Sequence, residues 1–264
     1  MLIAQFSDPH VVADGELAFG KLDTGEHLAR SIAHINGMAP RPDVVLGTGD
    51  LTFDGRAAEY ARLAKLLDEL AVPCYVIPGN HDDRDNMRAA LAPRYLPVDG
   101  EFLHYTVENY PLRLIALDTL LPGSDGGRLC PERLDWLERE LARAPERATI
   151  VLLHHPPFKT HMKAIDELGL EGAEALAEIV RRYPRIERVL CGHVHRPIQI
   201  RWAGTVAVTA PATAHQFLLD LSPQAESRWG HEPPAILLHI WEPDAGVVTH
   251  TVYVGDYGEP QPFH

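Results

Sequence analysis

Residues 43–82 read DVVLGTGDLTFDGRAAEYARLAKLLDELAVPCYVIPGNHD. Two short, largely apolar runs in this stretch, 43–46 and 74–77, have the length and flanking residues of buried strands. The residues between them, 56–71, have the apolar spacing of a helix. A helix enclosed by two strands predicts an α/β sheet, and both strands are followed closely by polar side chains, Asp50 and Asn80.

The same alternation continues in both directions along the chain. Further strands are predicted at 2–6, 112–117, 149–153 and 188–191, and further helices at 24–37, 84–92, 131–143 and 171–183. Beyond residue 197 the sequence becomes β-rich, with a hairpin turn predicted at 242–246, so we expect a second, more antiparallel sheet. A chain of 264 residues is long enough for one large α/β domain, and we expect a single domain over 1–264.

The composition argues against several classes of partner. The formal net charge is -13, whereas long nucleic acids and anionic membranes attract clustered Lys and Arg. The three cysteines, Cys74, Cys130 and Cys191, form no C-x-x-C pair, which argues against a disulfide framework or a zinc-thiolate site. The N-terminus lacks the basic segment of a signal peptide, and no apolar run approaches the ~20 residues of a membrane span. We therefore expect a soluble, cytoplasmic protein.

The histidines are grouped at the ends of the predicted strands. The sequence has 15 histidines, and several of them adjoin Asp, Asn or another His. Five strand ends carry such groups, which are Asp8-Pro9-His10, Gly49-Asp50, Gly79-Asn80-His81-Asp82, His154-His155 and Gly192-His193-Val194-His195. Because reactive groups gather at the carboxyl ends of strands in open α/β sheets, we expect one shared site. Oxygen and imidazole ligands without thiolate suit zinc, manganese, iron or cobalt. A metal pair ~3.5–4 Å apart usually needs a shared carboxylate, for which Asp50 is the natural candidate.

The charge of these ligands indicates hydrolysis of a phosphate ester. Two carboxylates, Asp8 and Asp50, with neutral Asn80 and neutral imidazoles, leave a surplus of about two positive charges on two dications. A metal-bridging hydroxide would then attack phosphorus while both metals hold the phosphate oxygens. His81, which is not needed for coordination, would donate a proton to the departing alkoxide or stabilise transition-state charge.

These motifs, in this order and spacing, resemble the calcineurin-like metallophosphoesterase family over residues 8–195. Flanking segments such as IPGNHDDR, LLHHPPF and LCGHVHRPI are similar to those of bacterial class III cyclic nucleotide phosphodiesterases and the related glycerophosphodiesterases. The resemblance implies a four-layer α/β/β/α sandwich with two mixed β-sheets flanked by helices. It also implies a metal-dependent phosphodiesterase for small phosphodiesters, such as 3′,5′-cyclic nucleotides or glycerophosphodiesters, and a homo-oligomer of two or more copies.

The resemblance further implies a role for each motif residue. The ligands implied for one metal are Asp8, His10 and His195, those for the other are Asn80, His154 and His193, and Asp50 would bridge the two. His81 matches the catalytic histidine position of the family. His215 falls where the subgroup tends to place a histidine near the substrate, so His81 and His215 are both predicted to contact substrate.

Further predictions concern the neighbours of these motifs. His161, in the loop after the fifth strand, is a candidate for the substrate pocket. His155 is expected to support the site without binding metal, and Asp82 and Asp83 to cap a helix or complement its dipole. Phe19 would either stack on a substrate base or cover the core, and the sequence leaves both readings open.

Three other functions fit the sequence less well. A phosphomonoesterase would use the same site and profit from added Arg or His donors; Arg196 follows His195, but its direction is open. A non-catalytic scaffolding protein would show eroded ligands, whereas all seven ligand positions and His81 are present. A nuclease for long strands is disfavoured by the acidic charge balance. Cyclic nucleotides and glycerophosphodiesters both remain candidate substrates.

Overall fold

A computed structural model describes residues 1–259 and 261–262 of the chain. The strands, in chain order, are β1 Leu2–Phe6, β2 Val44–Thr48, β3 Cys74–Ile77, β4 Tyr105–Val107, β5 Arg113–Ala116, β6 Gly127–Arg128, β7 Thr149–Leu152, β8 Leu170–Glu171, β9 Ile186–Cys191, β10 Ile198–Trp202, β11 Thr205–Thr209, β12 Gln216–Phe217, β13 Trp229–Gly230, β14 Ala235–Glu242 and β15 Gly246–Tyr253. The helices are α1 Thr24–Gly37, α2 Ala57–Leu67, α3 Arg84–Leu91, α4 Pro131–Arg143, α5 Lys163–Asp166 and α6 Ala173–Arg182.

Two mixed sheets contain most of these strands. The first sheet has the order β15-β14-β1-β2-β3, in which β1, β2 and β3 are parallel and β14 and β15 pair antiparallel. The second sheet has the order β10-β11-β9-β7-β5-β4, with a parallel centre from β11 to β5 and an antiparallel strand at each edge. Helices connect β1 to β2, β2 to β3, β5 to β7 and β7 to β9, as the sequence pattern predicted, whereas β9 and β11 connect through β10.

Helices cover the outer face of each sheet. Leu28 of α1 belongs to one buried cluster with Ile3 of the first sheet and Ile150 of the second, so the two sheets pack against each other. The neighbouring strand residue Val151 faces the other way and packs with Leu137 of α4. The layers therefore follow the order helix, sheet, sheet, helix, and the predicted α/β/β/α sandwich is confirmed.

The longer strands after residue 197 join the two main sheets, whereas β12 and β13 pair as a separate two-stranded ladder. The expectation that this part of the chain forms the second sheet was wrong. β10 and β11 extend the second sheet, whereas β14 and β15 extend the first. The reason is that β2 pairs with only one edge of β1, and β14 satisfies the backbone hydrogen-bonding groups of the other edge. The predicted hairpin at 242–246 is present, because Glu242 pairs with Gly246.

Capping residues explain where several helices begin. Asp23 precedes α1 and Asp83 precedes α3, and each carboxylate accepts a hydrogen bond from the backbone N–H three residues further on. The prediction of a helix cap at Asp83 is confirmed. Within the described part of the chain, none of the helices combines the length and apolar character that crossing a bilayer requires.

Candidate metal centre

The predicted ligands lie together at one end of the two sheets. The loops that follow β1, β2 and β3 come from the first sheet, and those that follow β7 and β9 come from the second. These five loops present Asp8, His10, Asp50, Asn80, His154, His193 and His195. Asn80 is half-buried and the other six are buried. The structure thus brings all seven positions into one cluster.

Asp8, His10 and His195 form one half of this cluster. The Nε2 atoms of His10 and His195 are 3.1 Å apart, and Asp8 Oδ1 lies 3.5 Å from His195 Nε2. Asp50 Oδ2 lies 3.6 Å from His10 Nε2. One ligand atom from each of these four residues lies within 4.8 Å of the others. A single cation between them would contact all four.

Asn80, His154 and His193 form the other half. The amide oxygen of Asn80 lies 3.2 Å from His154 Nε2 and 3.1 Å from His193 Nδ1. Asp50 Oδ1 lies 3.4 Å from His154 Nε2. The carboxylate of Asp50 therefore directs one oxygen to each half of the cluster.

Backbone carbonyls fix the orientation of two of the imidazole rings. His154 Nδ1 is 2.8 Å from the carbonyl oxygen of Thr48, and His195 Nδ1 is 3.1 Å from that of His215. Because a carbonyl oxygen only accepts, each Nδ1 carries the proton. Nε2 of His195 then presents its lone pair to the cluster, which is the form that binds a metal. Burial acts to lower the pKa of His154, but the charge of Asp50 outweighs it and raises the pKa to about 9, so Nε2 of His154 would lose a proton when a metal binds.

The backbone of the cluster is strained. Five residues have left-handed φ angles, which are Asp8 at 51°, His10 at 45°, Asp50 at 48°, His193 at 70° and His195 at 50°. Such conformations cost on the order of 1–3 kcal/mol each in a residue other than glycine, and they gather at functional sites. Gly79 is needed for a different reason, because a Cβ atom there would collide with the backbone and carboxylate of Asp50.

Burial keeps three of the imidazoles neutral. Removal from water lowers the pKa of His193 to about 3 and holds the pKa values of His10 and His195 well below their ordinary value. Neutral imidazole is the form that ligates metal, so these side chains are ready to bind without first losing a proton.

Two carboxylates buried close together are stabilised by a cation. Burial raises the pKa of Asp8 to about 7, although His154 acts in the opposite direction. At Asp50 burial also acts to raise the pKa, but the nearby His154 outweighs it and holds the pKa well below the usual range. Two carboxylates, four imidazoles and an amide oxygen in one buried cluster fit first-row transition metal ions, which would offset the cost of burying the charges.

His155 lies beside the cluster, but both of its ring nitrogens are occupied. Its Nδ1 accepts from the hydroxyl of Thr119 at 2.8 Å, and its Nε2 donates to the carbonyl oxygen of Asp125 at 3.2 Å. The ring also packs against His193, with 4.6 Å between the ring centroids. His155 therefore supports the position of a proposed ligand and has no lone pair left for a metal.

The sequence pattern did not reveal the role of Asp82. Its buried carboxylate accepts five hydrogen bonds of 2.8–3.2 Å, from the backbone N–H groups of Leu51, Thr52 and Gly79 and from the hydroxyls of Thr52 and Tyr60. Asp82 was expected to cap a helix or complement its dipole; instead it joins the loops after β2 and β3. The signal available in the sequence was a pair of acidic residues, only the second of which can occupy the helix cap.

A cavity of about 310 Å³ lies over the cluster. Besides the proposed ligands, its walls contain Phe19, Phe53, His81, Asp125, Ile165, Leu168, His215, Phe217 and Trp229. His81 Nδ1 donates to the carbonyl oxygen of Phe53 at 2.7 Å, which leaves Nε2 for the cavity. Burial acts to lower the pKa of His81, but the charge of Asp50 outweighs it, and the pKa is raised.

The remaining predicted residues have different placements. His215 is buried and lines the cavity, and burial lowers its pKa to about 4. His161 is exposed and is not among the residues that line the cavity, so the structure does not bring it to the site. Arg196 turns away from the cavity, because its guanidinium donates to Glu232 and to the carbonyl oxygen of Phe217, each at 2.6 Å.

This fold and this cluster define a class of metal-dependent phosphoesterases. The chain belongs to the calcineurin-like phosphoesterase family, whose model matches residues 1–197.

Particular relatives agree with this class. The chain is 37% identical over 265 residues to the probable glycerophosphodiester phosphodiesterase GpdQ of Arcobacter nitrofigilis, with 100% of this chain and 97% of the relative covered. It is 32% identical to the 3′,5′-cyclic adenosine monophosphate phosphodiesterase CpdA of Escherichia coli K12, with 81% and 77% covered. The crystal structure of a dimetal phosphatase from Danio rerio matches the fold with a TM-score of 0.63 at 16% identity, covering 97% of this chain and 99% of that one.

Proposed function

We propose that this chain is a phosphodiesterase that hydrolyses small phosphodiesters on two metal ions. Asp8, His10 and His195 would hold one ion, Asn80, His154 and His193 would hold the other, and Asp50 would be shared between them. The observation that carries the proposal is the position of Asp50, whose two oxygens lie 3.6 Å from His10 Nε2 and 3.4 Å from His154 Nε2. A carboxylate shared in this way is what a two-metal hydrolase needs.

The chain's own residues account for the proton that the leaving group needs. When bound, the two ions supply Lewis-acid activation of the phosphate and lower the pKa of the attacking water. The attacking water would release a proton to solvent, its oxygen would bond to phosphorus, and the bond from phosphorus to the departing alkoxide would break. His81 donates a proton to that alkoxide from Nε2, since its Nδ1 is held by Phe53, and later regains one from solvent.

The charge of the cavity favours diesters over monoesters. Among the described residues that line it there is no lysine or arginine. Arg196, which adjoins the ligand His195 in sequence, is engaged by Glu232 and Phe217. A phosphomonoester carries an additional negative charge that such donors would stabilise, whereas a diester does not require them.

A steady-state comparison of four substrates tests the proposal. Metal-stripped enzyme is reloaded with manganese and assayed with bis(p-nitrophenyl) phosphate, p-nitrophenyl phosphate, cyclic AMP and glycerophosphoethanolamine. We expect turnover of diesters and poor turnover of the monoester. Asn80→Ala should lower kcat/KM by about 100-fold or more, since even partners of metal ligands are worth 10- to 100-fold. Asn109→Ala, at an exposed position, is the matched control and should retain wild-type activity.

Two results would contradict the proposal. Faster turnover of the monoester would leave the metal centre in place but overturn the substrate class. Absence of turnover with manganese, iron, zinc and cobalt would return the chain to the scaffolding hypothesis.

Finer properties belong to the same proposal. Each of the two ions is manganese, iron, zinc or cobalt, because this set of nitrogen and oxygen ligands binds all four metals. We also propose a cytoplasmic location, in keeping with three free cysteines.

A homo-oligomer is supported by the exposed Val248 and Tyr253 on the edge strand β15. The pairing of Leu2 with Ile240 supports a single domain, and the acidic charge disfavours long nucleic acid or membrane as partners.

A further inference from the structure

Four aromatic side chains form one part of the cavity lining, which we call the aromatic wall: Phe19, Phe53, Phe217 and Trp229. The rings of Phe19 and Trp229 stack with centroids 4.8 Å apart and an interplanar angle of 27°. Phe53 meets Phe19 edge to face at 5.2 Å, and Phe217 pairs with Trp229 across the β12–β13 ladder. Three separate segments of the chain therefore contribute to one aromatic surface.

This wall is held in place at a conformational cost. Phe19 has a left-handed φ of 54° and remains 46% exposed, an uncommon combination for a large apolar residue. A bridge between Ala18 and Leu22 closes the turn that presents it. Trp229 lies on β13, which pairs with β12. Arg196, in the loop after β9 that also contains His195, donates a hydrogen bond to the carbonyl oxygen of Phe217 on β12. Strain of this kind gathers at functional sites, so the exposed ring of Phe19 is a candidate for contact with substrate.

Apart from the carboxylate of Asp125, the other side chains of the cavity offer little to an aliphatic alcohol with hydroxyl groups. Apart from the proposed ligands, the lining contains the aromatic wall, two aliphatic side chains and three polar ones, which are His81, Asp125 and His215. His81 is assigned to the leaving-group oxygen, and His215 is buried next to the metal ligands. The hydroxyls of a glycerol group would lose hydrogen bonds to water on the aromatic wall, whereas a planar ring would stack there.

We infer that the aromatic wall determines specificity by binding a planar aromatic group of the substrate, so that nucleoside phosphodiesters are preferred to glycerophosphodiesters. This inference rests on the proposed function and names the substrate class of the same site. Phe19 and Trp229 are its principal residues, because they form the stacked pair and come from distant segments. The names of the relatives include both substrate classes, since one is a probable glycerophosphodiester phosphodiesterase and another a cyclic AMP phosphodiesterase. The inference selects the second class for this chain.

Substitution of the stacked pair tests the inference by activity. In manganese-loaded enzyme, Trp229→Leu and Phe19→Leu should each lower kcat/KM for cyclic AMP by about 5- to 100-fold, the range that one base-stacking contact supplies. The value for glycerophosphoethanolamine should change by less than roughly twofold, as for a substitution away from the contacts it uses. Trp202→Leu is the matched control, since Trp202 lies on β10 and is absent from the cavity lining.

A binding measurement gives a second readout that does not depend on turnover. Added AMP should quench tryptophan fluorescence of the wild-type enzyme and of Trp202→Leu, but not of Trp229→Leu, while glycerol 3-phosphate should quench none of them. A higher wild-type kcat/KM for glycerophosphoethanolamine, equal losses on both substrates, or quenching that survives in Trp229→Leu would overturn the inference. Absence of turnover on both diesters would overturn the proposed function, and the quenching would still decide whether the wall binds a base.

Discussion

Gly79 lies close to the backbone and carboxylate of Asp50, and its missing side chain is a condition for the arrangement of the proposed metal ligands. Gly79→Ala would force a Cβ atom into the backbone and carboxylate of Asp50. We expect a loss of about 1–3 kcal/mol in the free energy of unfolding, typical of overpacking, together with weaker metal binding. Urea unfolding and metal titration measure both. Gly37→Ala is the control, because a Cβ there meets no atom within 4 Å. Equal changes in unfolding free energy and in metal binding for Gly79→Ala and Gly37→Ala would contradict the role assigned to Gly79.

His81 is expected to act on the leaving group and not on the metals. His81→Gln should lower kcat by about 10²- to 10⁴-fold, the range of a single proton donor, while the bound metal content stays at the wild-type level. Steady-state kinetics and elemental analysis of the same preparation measure the two effects. His250→Gln, at an exposed position on β15, provides a matched substitution that should leave both unchanged. Loss of metal in parallel with activity would assign His81 to the metal centre instead.

At the scale of elements, Asp82 joins the loop after β2 to the loop after β3. Asp82→Asn replaces one acceptor oxygen by an NH₂ group that faces N–H and O–H donors. We expect a loss of about 1–3 kcal/mol in stability and a lower metal affinity, since both loops carry proposed ligands. The neighbouring Asp83→Asn should be nearly neutral, because Asn caps a helix as well as Asp does.

Denaturant unfolding and metal titration of these two variants separate a loop-joining role from a general effect of charge. Similar losses in Asp82→Asn and Asp83→Asn would contradict the role assigned to Asp82.

Local sequence features predicted elements that depend on neighbours along the chain. The helix at 24–37 matches α1, because its cap and its apolar spacing are both local. Polar residues after apolar strands likewise indicated where the cluster lies. Pairing partners depend on distant residues: β14 has the same composition whether it forms a separate hairpin or pairs with β1. The five donors to Asp82 lie at 51, 52, 60 and 79, and no local pattern connects these positions.

At the scale of the whole molecule, a buried polar chain links the two sheets. His239 of β14 receives a hydrogen bond from Thr249 at 2.9 Å and donates to Gln5 Oε1 at 3.0 Å. The amide of Gln5 donates to the carbonyl oxygen of Cys191 in the second sheet, also at 3.0 Å. Burial lowers the pKa of His239 to about 3. This side chain stays neutral in the folded protein at any pH where the protein is expected to work.

That shift predicts a contribution of His239 to acid sensitivity. Below the ordinary histidine pKa of 6.5 the unfolded chain takes up a proton that the folded chain refuses, so stability falls as the pH drops from 6.5 towards 3. The share of His239 in the loss between pH 7 and pH 5 is about 2 kcal/mol. His239→Gln should remove this share, whereas His250→Gln should not, as urea unfolding at both pH values will measure. Identical pH dependence in both variants would contradict the assignment.

The pairing of β14 with β1 has a consequence for biosynthesis. Leu2 pairs with Ile240, so one edge of β1 stays open until the chain has been made as far as β14. At a translation rate of about 5–20 residues per second, this interval lasts about 10 to 50 s. The last proposed ligand, His195, leaves the ribosome before β14 does. The nascent chain therefore contains all seven proposed metal ligands while Leu2–Phe6 still exposes an unpaired edge, and chaperones that protect this protein during synthesis should bind there.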